Sequence, residues 1–334
     1  MVTPTSSFGA QTTSEALPLL AADALRKIAR DEHLKERIEN DPLLSGIFKR
    51  AAERYIGGST LPECIRTIKQ VNAQGHAATA DYMGESTRDE AKAEIETTHF
   101  LDLVAAIHAH TLNCTISLDL SHIGLAVDPA LGIANAARIA VAARAIGREV
   151  IISMEGSERT DAILATHTEL CRQFDHVGIT LQARRLRTGA DLQSALQRPG
   201  KIRLVKGAYD EPETLAHPRV SEGLNAAYRQ HAQTLLASGH ACSIGTQDRQ
   251  QLEWAHAFIR EQGLATDHIE FETLLGLGAA PAAQMRDLGF ATRQYIVYGR
   301  EWFMYVCHRI AEDPPRLFQA LIDVVNGPGE AQHL

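Results

Sequence analysis

The chain has 334 residues, 45% of them hydrophobic, enough to bury a large core, and its formal charge of -8 leaves no general basic surface. That balance argues against nucleic acid or an anionic membrane as the principal partner and favours a small-molecule ligand. The five cysteines, Cys64, Cys114, Cys171, Cys242 and Cys307, are scattered, odd in number and free of any CxxC pair. They indicate neither a disulfide framework nor a zinc knuckle, and a cytoplasmic setting is expected.

Residues 1–15 are rich in Ser and Thr, lack the basic start and apolar run of a signal peptide, and read as a flexible tail. From 16 to 75, the stretches ALPLLAADALRKIARD, DPLLSGIFKRAAERYI and TLPECIRTIKQVNAQG carry apolar residues at helical spacing and predict an N-terminal helical arm. No apolar stretch approaches the roughly 20 residues that span a bilayer, so membrane association would be peripheral.

From His76 onward the pattern changes to short β-prone runs separated by helical segments. The runs are ATADYM, CTISLDL, EVIISM, VGITLQ, IRLVK, ACSIGT, HIEFET and TRQYIV, eight in all, and over residues 76–330 they predict an α/β fold, a closed (β/α)8 barrel. No GxGxxG follows the first run, which removes support for a dinucleotide-binding open sheet.

A barrel of this kind gathers function where strands run out into loops. Those positions hold Asp81, Asp119, Ser153 with Glu155, Gln182, Lys206, Thr246 with Gln247, and Tyr295. Each has a plainer reading: Asp81 or Glu85 could cap the next helix, and Asp119 could satisfy loop amides. Lys206 is the sharpest of them. It ends an apolar strand and is followed by Gly207 and Ala208, where backbone could approach a planar ligand. It could form a Schiff base, hold a cofactor, or only snorkel to the rim.

Two motifs lose weight on inspection. His108 and His110 spell HxH but close a helical run, where residues two apart do not face one site. Gly276 and Gly278 form a lone GxG that could be a turn. The segment from Tyr295 to Glu312, YIVYGREWFMYVCHRIAE, concentrates rings beside His308, Arg309 and Glu312 on one predicted helix begun after Gly299. Rings beside a cation suit a flat, anionic or π-rich ligand; an amphipathic core helix is the other reading.

In order along residues 55–314, TLPECIRTIKQVNAQG, ATADYMGE, SMEGS, VGITLQA, RTGADL, RLVKGAY, FETLLG and YIVYGREWFMYVCHRIAE resemble the flavin-dependent proline dehydrogenases, or proline oxidases. The resemblance implies a distorted (β/α)8 barrel holding non-covalent FAD, with the last barrel helix over the barrel mouth. It implies hydride transfer to the flavin from the carbon next to the ring nitrogen of proline, giving Δ1-pyrroline-5-carboxylate, with the electrons passing to a quinone. On this likeness Lys206 lies beside the flavin, and Gln182, Arg187, Gly207, Ala208, Thr246, Gln247 and Glu312 are cofactor contacts. Tyr295, Tyr305 and Leu274 wall the substrate. Arg309 reaches its carboxylate and closes an ion-pair gate with Glu85.

The chain departs from that family's pattern at four positions. His308 stands for the first of two adjacent arginines, Asp119 for a second-strand lysine, Ser153 for a third-strand aspartate and Gln247 for a sixth-strand histidine. An anion replacing a cation near a carboxylate reverses a term of several kcal/mol in a dry pocket. Three readings therefore stand beside free proline: a cyclic amine whose carboxylate is absent, masked or carrier-bound, a Schiff-base lyase using Lys206, and a non-catalytic relative.

Overall fold

A computed structural model describes residues 16–29, 31–84, 86–209, 211–312 and 316–326. The chain divides into two compact units, one drawn from Met1–Tyr55 and Glu301–Leu334, the other from Ile56–Arg300.

The first unit opens with α1 (Ala16–Ala29), α2 (Glu32–Asn40) and α3 (Pro42–Ala52). Helix α2 was not among the predicted stretches, because EHLKERIEN has too few apolar residues to show a periodicity. Two aspartates define it instead. Asp31 accepts the Leu34 N–H at 3.0 Å, while Asp41 ends α2 and accepts the Leu43 and Leu44 N–H groups at 2.9 and 3.1 Å to start α3.

Helix α4 (Leu61–Ala73) belongs to the second unit. Glu63 accepts the Ser59 and Thr60 N–H groups at 2.8 and 3.0 Å, and the buried face formed by Cys64, Ile65, Ile68 and Val71 packs against the barrel. The sequence suggested a boundary at residues 75 and 76; the compact units divide between Tyr55 and Ile56 because of that apolar face.

The barrel alternates β1 (Ala77–Tyr82), α5 (Glu90–Ala109), β2 (Cys114–Leu118), α6 (Pro129–Ala145), β3 (Val150–Ile152), α7 (Thr160–Leu170), β4 (Val177–Gln182) and α8 (Thr188–Ala195). It continues with β5 (Ile202–Val205), α9 (Glu222–Ala237), β6 (Cys242–Gly245), α10 (Arg249–Glu261), β7 (Ile269–Leu274), α11 (Ala279–Asp287) and β8 (Ala291–Tyr298). The eight strands form a closed parallel barrel in sequence order, with β8 returning to β1 so that Thr79 pairs with Tyr295. The fold expected from the eight runs is therefore the fold observed.

Alternation along each strand sorts two kinds of interior. Outward residues such as Ile116, Leu118, Ile179, Leu204, Ile244, Phe271 and Ile296 are completely or almost completely buried beneath the helices. Each contributes about 1.5–3 kcal/mol on leaving water. Inward residues are largely polar, where barrels of this type usually stack branched hydrocarbons. At the level of Arg293, Glu270 accepts from its Nε at 2.9 Å and from Nη2 at 3.1 Å, and pairs with Lys201 at 3.2 Å. Arg293 also donates to the Ala78 carbonyl at 2.6 Å and to Thr115 at 2.9 Å, and Lys201 reaches Glu149 at 2.9 Å.

The first unit closes with α12 (Trp302–Ala311) and α13 (Arg316–Asn326). Phe303 of α12 sits 5.8 Å from the Phe48 ring of α3, and Lys35 pairs with Glu301 at 2.5 Å. His308 and Arg309 lie on α12 as expected, with Glu312 just beyond its last turn. No helix among the described residues is long and apolar enough to cross a membrane.

Candidate active site

One layer above Arg293, Glu272 of β7 accepts from Thr79 at 2.6 Å and Ser243 at 3.0 Å, and its Oε1 lies 3.6 Å from Arg203 Nη1. Arg203, 3% exposed, donates from Nε to Thr180 at 2.9 Å and from Nη2 to Ser117 and Ser153 at 3.0 and 3.5 Å. Its guanidinium carbon stands 4.9 Å from the Tyr295 ring centroid. Inward alternation explains how β1, β2, β4, β5, β6, β7 and β8 all reach this layer. The next inward residues mark the carboxyl ends of the strands.

At that end the two sides of the barrel differ in charge. On the β1–β3 side, the Tyr295 hydroxyl donates to Asp81 and lies 3.3 Å from Ser117, which is 3.0 Å from Ser153. Asp119 and Glu155 complete an acidic group. Burial, then the charge of Asp119, push the Asp81 carboxyl well above the ordinary range, against the Tyr295 hydrogen bond and the Arg203 charge. The same two causes push Glu155 up to about 7, although it accepts the Ser121 N–H at 2.9 Å and pairs with Arg159 at 3.1 Å. His122, whose Nε2 is 3.9 Å from Asp119, is held below its ordinary value by burial, which outweighs that carboxylate.

Cations gather on the β4–β6 side. Lys206 follows β5 and gives Nζ–H bonds to Asp248 at 2.7 Å and Asn225 at 3.3 Å. Asp248 is itself the N-cap of α10, its other oxygen accepting the Gln250 N–H at 3.0 Å, so the lysine's partner is fixed by a helix start. Burial opposes ionisation of Asp248, but Lys206 and the backbone N–H groups outweigh it and hold the carboxyl below its usual range. Arg184 donates to the His217 and Tyr209 carbonyls, and Arg185 to Gln182 at 3.2 Å, to the Glu155 carbonyl at 2.6 Å and to Glu211 at 2.6 Å.

The expected strand-end residues occupy the carboxyl ends of their strands. The structure joins Ser153 and Tyr295 through Ser117, and Gln182 with Arg185. Gln182 is already engaged at both ends, donating to the Met154 carbonyl at 2.8 Å. Arg187 pairs with Asp161 and Asp191 at 2.7 and 2.8 Å and is 44% exposed. Gly207 has φ +107°, and a Cβ there would lie 2.9 Å from Arg184 Cγ; its glycine answers a local backbone and packing need. Ala208 is exposed, Leu274 and Gln247 are half-buried, and Thr246 is buried.

Tyr305, His308, Arg309 and Glu312 belong to the other unit. There Arg309 pairs with Glu312 at 2.6 Å, its guanidinium carbon 5.3 Å from the Tyr305 ring centroid, and its carbonyl accepts from Arg316 at 2.7 Å. Glu85 lies outside the described residues.

Sequence reasoning passed over Arg203, Glu272, Ser117 and Asp248. The signal for the first two was present: a charge in the middle of an apolar strand, in IRLV and IEFETL, at a register pointing inward.

A closed parallel barrel with a charged interior and its ionisable groups collected at the carboxyl ends of the strands is the architecture of a (β/α)8 enzyme. Comparison with known proteins specifies the family. The profile of the family described as proline dehydrogenase matches residues 64–313. The chain is 31% identical over 267 residues to proline dehydrogenase 2 of Bacillus subtilis, covering 80% of this chain and 88% of that one. It is likewise 31% identical over 284 residues to proline dehydrogenase of Deinococcus radiodurans, covering 84% and 91%. The solved structure of proline utilization A (PutA) from Bdellovibrio bacteriovorus, inactivated by N-propargylglycine, superposes with a TM-score of 0.76 at 17% identity. That match covers 90% of this chain but 37% of the PutA chain, so the protein spans about a third of that relative and the likeness establishes the fold. The chain belongs to the proline dehydrogenase family, and it is an enzyme whose chemistry is oxidation of the proline dehydrogenase type.

Proposed function

We propose that the protein oxidises the C–N bond of L-proline or a closely related cyclic secondary amine to the pyrroline, with FAD as the hydride acceptor and a quinone or another acceptor taking the electrons onward. The observation that carries this reading is Lys206, held at the end of β5 by the N-cap of α10. An ammonium has three N–H donors; Asp248 and Asn225 take two, and the third suits the electron-rich edge of a flavin. The donor set thus fits the cofactor, which Lys206, Thr246 and Gln247 would help to hold. When bound, FAD supplies a two-electron acceptor. Lys206 stabilises negative charge developing beside it, Tyr295 and Leu274 pack the substrate ring, and a dry pocket favours the neutral amine over the ammonium. A Schiff-base lyase fits less well, because Lys206 is engaged as an ion-pair donor.

A second reading concerns the substrate's carboxylate. Asp119 places an anion among Asp81 and Glu155, a hostile setting for a second carboxylate, and favours a cyclic amine whose carboxylate is absent or masked as an ester, amide or carrier linkage. Purified protein is expected to be yellow and to bleach anaerobically with a cyclic secondary amine. Colourless protein that takes up no added FAD would sink the oxidation reading. Asp119→Lys is expected to shift kcat/KM toward free proline over pyrrolidine by about tenfold or more, as one close charge reversal implies; an unchanged ratio removes the second reading alone.

A further inference from the structure

Oxidation of a cyclic amine needs a place for the proton on nitrogen. At neutral pH the substrate arrives as an ammonium, and its nitrogen can form a C=N bond only once a lone pair is available. Among the groups at the barrel mouth, Asp81 is distinctive. It is 6% exposed, its Oδ2 accepts from Tyr295, and its buried Oδ1 has no hydrogen-bond partner among the described residues. Beside it, Arg203 Nη1 is also buried with no hydrogen-bond partner among the described residues, 3.6 Å from Glu272 Oε1. Orphaned polar atoms on such buried side chains carry a desolvation penalty that a bound ligand relieves.

We propose that Asp81 is the proton acceptor of the reaction, its Oδ1 taking the N–H proton of the cyclic ammonium; the assignment rests on the amine oxidation proposed above. The N–H bond breaks and an O–H bond forms on Asp81, while the electron pair stays on nitrogen, ready to form the C=N bond when hydride would leave the adjacent carbon for the flavin of the proposed reaction. The carboxyl returns its proton to solvent after product leaves. Its surroundings suit the task. An ordinary carboxylate is mismatched to an amine by about six pKa units. Burial and Asp119, just after β2, raise the proton affinity of Asp81, narrowing that gap. Glu155 after β3 and Glu272 on β7 are the other acids at this end of the barrel, and Tyr209 after β5 faces them as a neutral phenol; Arg203 on β5 and the hydroxyls of Tyr295 and Ser117 limit the rise.

The test is flavin reduction by pyrrolidine or proline in stopped flow from pH 6 to 10, comparing the holoenzyme with Asp81→Asn. The wild type should rise through the Asp81 ionisation and then level off. The variant should be about 100- to 1,000-fold slower near pH 7 and gain roughly tenfold per pH unit, because only pre-deprotonated amine reacts. Profiles that run parallel overturn the assignment. A cyclopentane analogue with CH2 in place of the ring nitrogen has no proton to give. Its affinity, read by calorimetry, should be the same in both proteins and independent of pH; equal weakening of analogue and substrate would mean a structural role. If Asp81→Asn does not fold, Asp119→Asn should move the rising limb of the wild-type profile to lower pH, and an unmoved limb overturns the proposal. A wild-type holoenzyme reduced by no cyclic amine at any pH removes the oxidation reading itself.

Discussion

Two buried charged layers lie within the same barrel, and they differ in completeness. In the lower one, Arg293, Glu270 and Lys201 satisfy each other and the Ala78 carbonyl, Thr115 and Glu149. In the upper one and the strand ends just above it, Asp81 Oδ1 and Arg203 Nη1 have no hydrogen-bond partner among the described residues, and two carboxyl groups are driven above their ordinary range. A saturated ionic layer has nothing left to offer a ligand. An unsaturated one keeps bonding capacity in reserve. The difference teaches that buried charge alone does not mark a site; unmet bonding capacity at the open end of the strands does.

Breaking the lower layer should have the largest effect on stability. Glu270→Ala leaves the buried Arg293 without its carboxylate, Lys201 keeping only Glu149, and is expected to cost about 3–5 kcal/mol in denaturant unfolding, while the rate per folded molecule holds. A loss below about 1 kcal/mol, the scale of a surface pair, would show that the layer is hydrated. The pH dependence has a definite sign. Burial opposes ionisation of Glu270, but Arg293 and Lys201 outweigh it and hold its carboxyl below the ordinary value. Its contribution is therefore present above the unfolded pKa and is lost as pH falls through the lower, folded one. The counterpart at the mouth is Lys206→Ala, which should slow flavin reduction by about 100-fold. Because Asp248 keeps its cap bond to Gln250, stability should change by no more than about 1 kcal/mol, measured in the same unfolding experiment.

That contrast bears on what could be seen in the sequence. The eight strands and the helices around them were legible, since period-2 and period-3.6 patterns are local. Lys206, Tyr295 and Asp119 were legible as strand ends, and the collinear motifs supplied the family. Arg203 and Glu272 were harder, because their importance lies in what faces them across the barrel: Thr79, Ser117, Thr180 and Ser243 come from strands far apart in the chain. Asp248 was passed over as well, because only the fold shows that the cap of α10 holds Lys206 with its second oxygen. Arg187, expected beside the cofactor, is held by Asp161 and by Asp191 one helical turn on. Helix α2 escaped for another reason, its capping aspartates carrying what its apolar residues do not.

The smallest expected effect sharpens the comparison most, because it isolates one charge. Asp119 acts on both Asp81 and Glu155 from just after β2, and Asp119→Asn removes that charge with little change of shape. The Glu155 carboxyl, pushed up to about 7 from an ordinary 4.5, should fall toward the ordinary value, which a carbon-detected NMR titration reads directly. Burial, the larger cause, remains, so the return should be partial. Stability follows by linkage. A carboxyl whose folded pKa lies above its unfolded one favours the folded state at low pH, and that advantage is lost as pH rises from the unfolded value through the folded one. Between those two values the wild type should lose stability as pH rises, and Asp119→Asn should lose less, by roughly 1 kcal/mol at neutral pH. Stability curves that coincide, with an unmoved Glu155 titration, would mean that Asp119 is screened by water and that burial alone sets the upper layer apart.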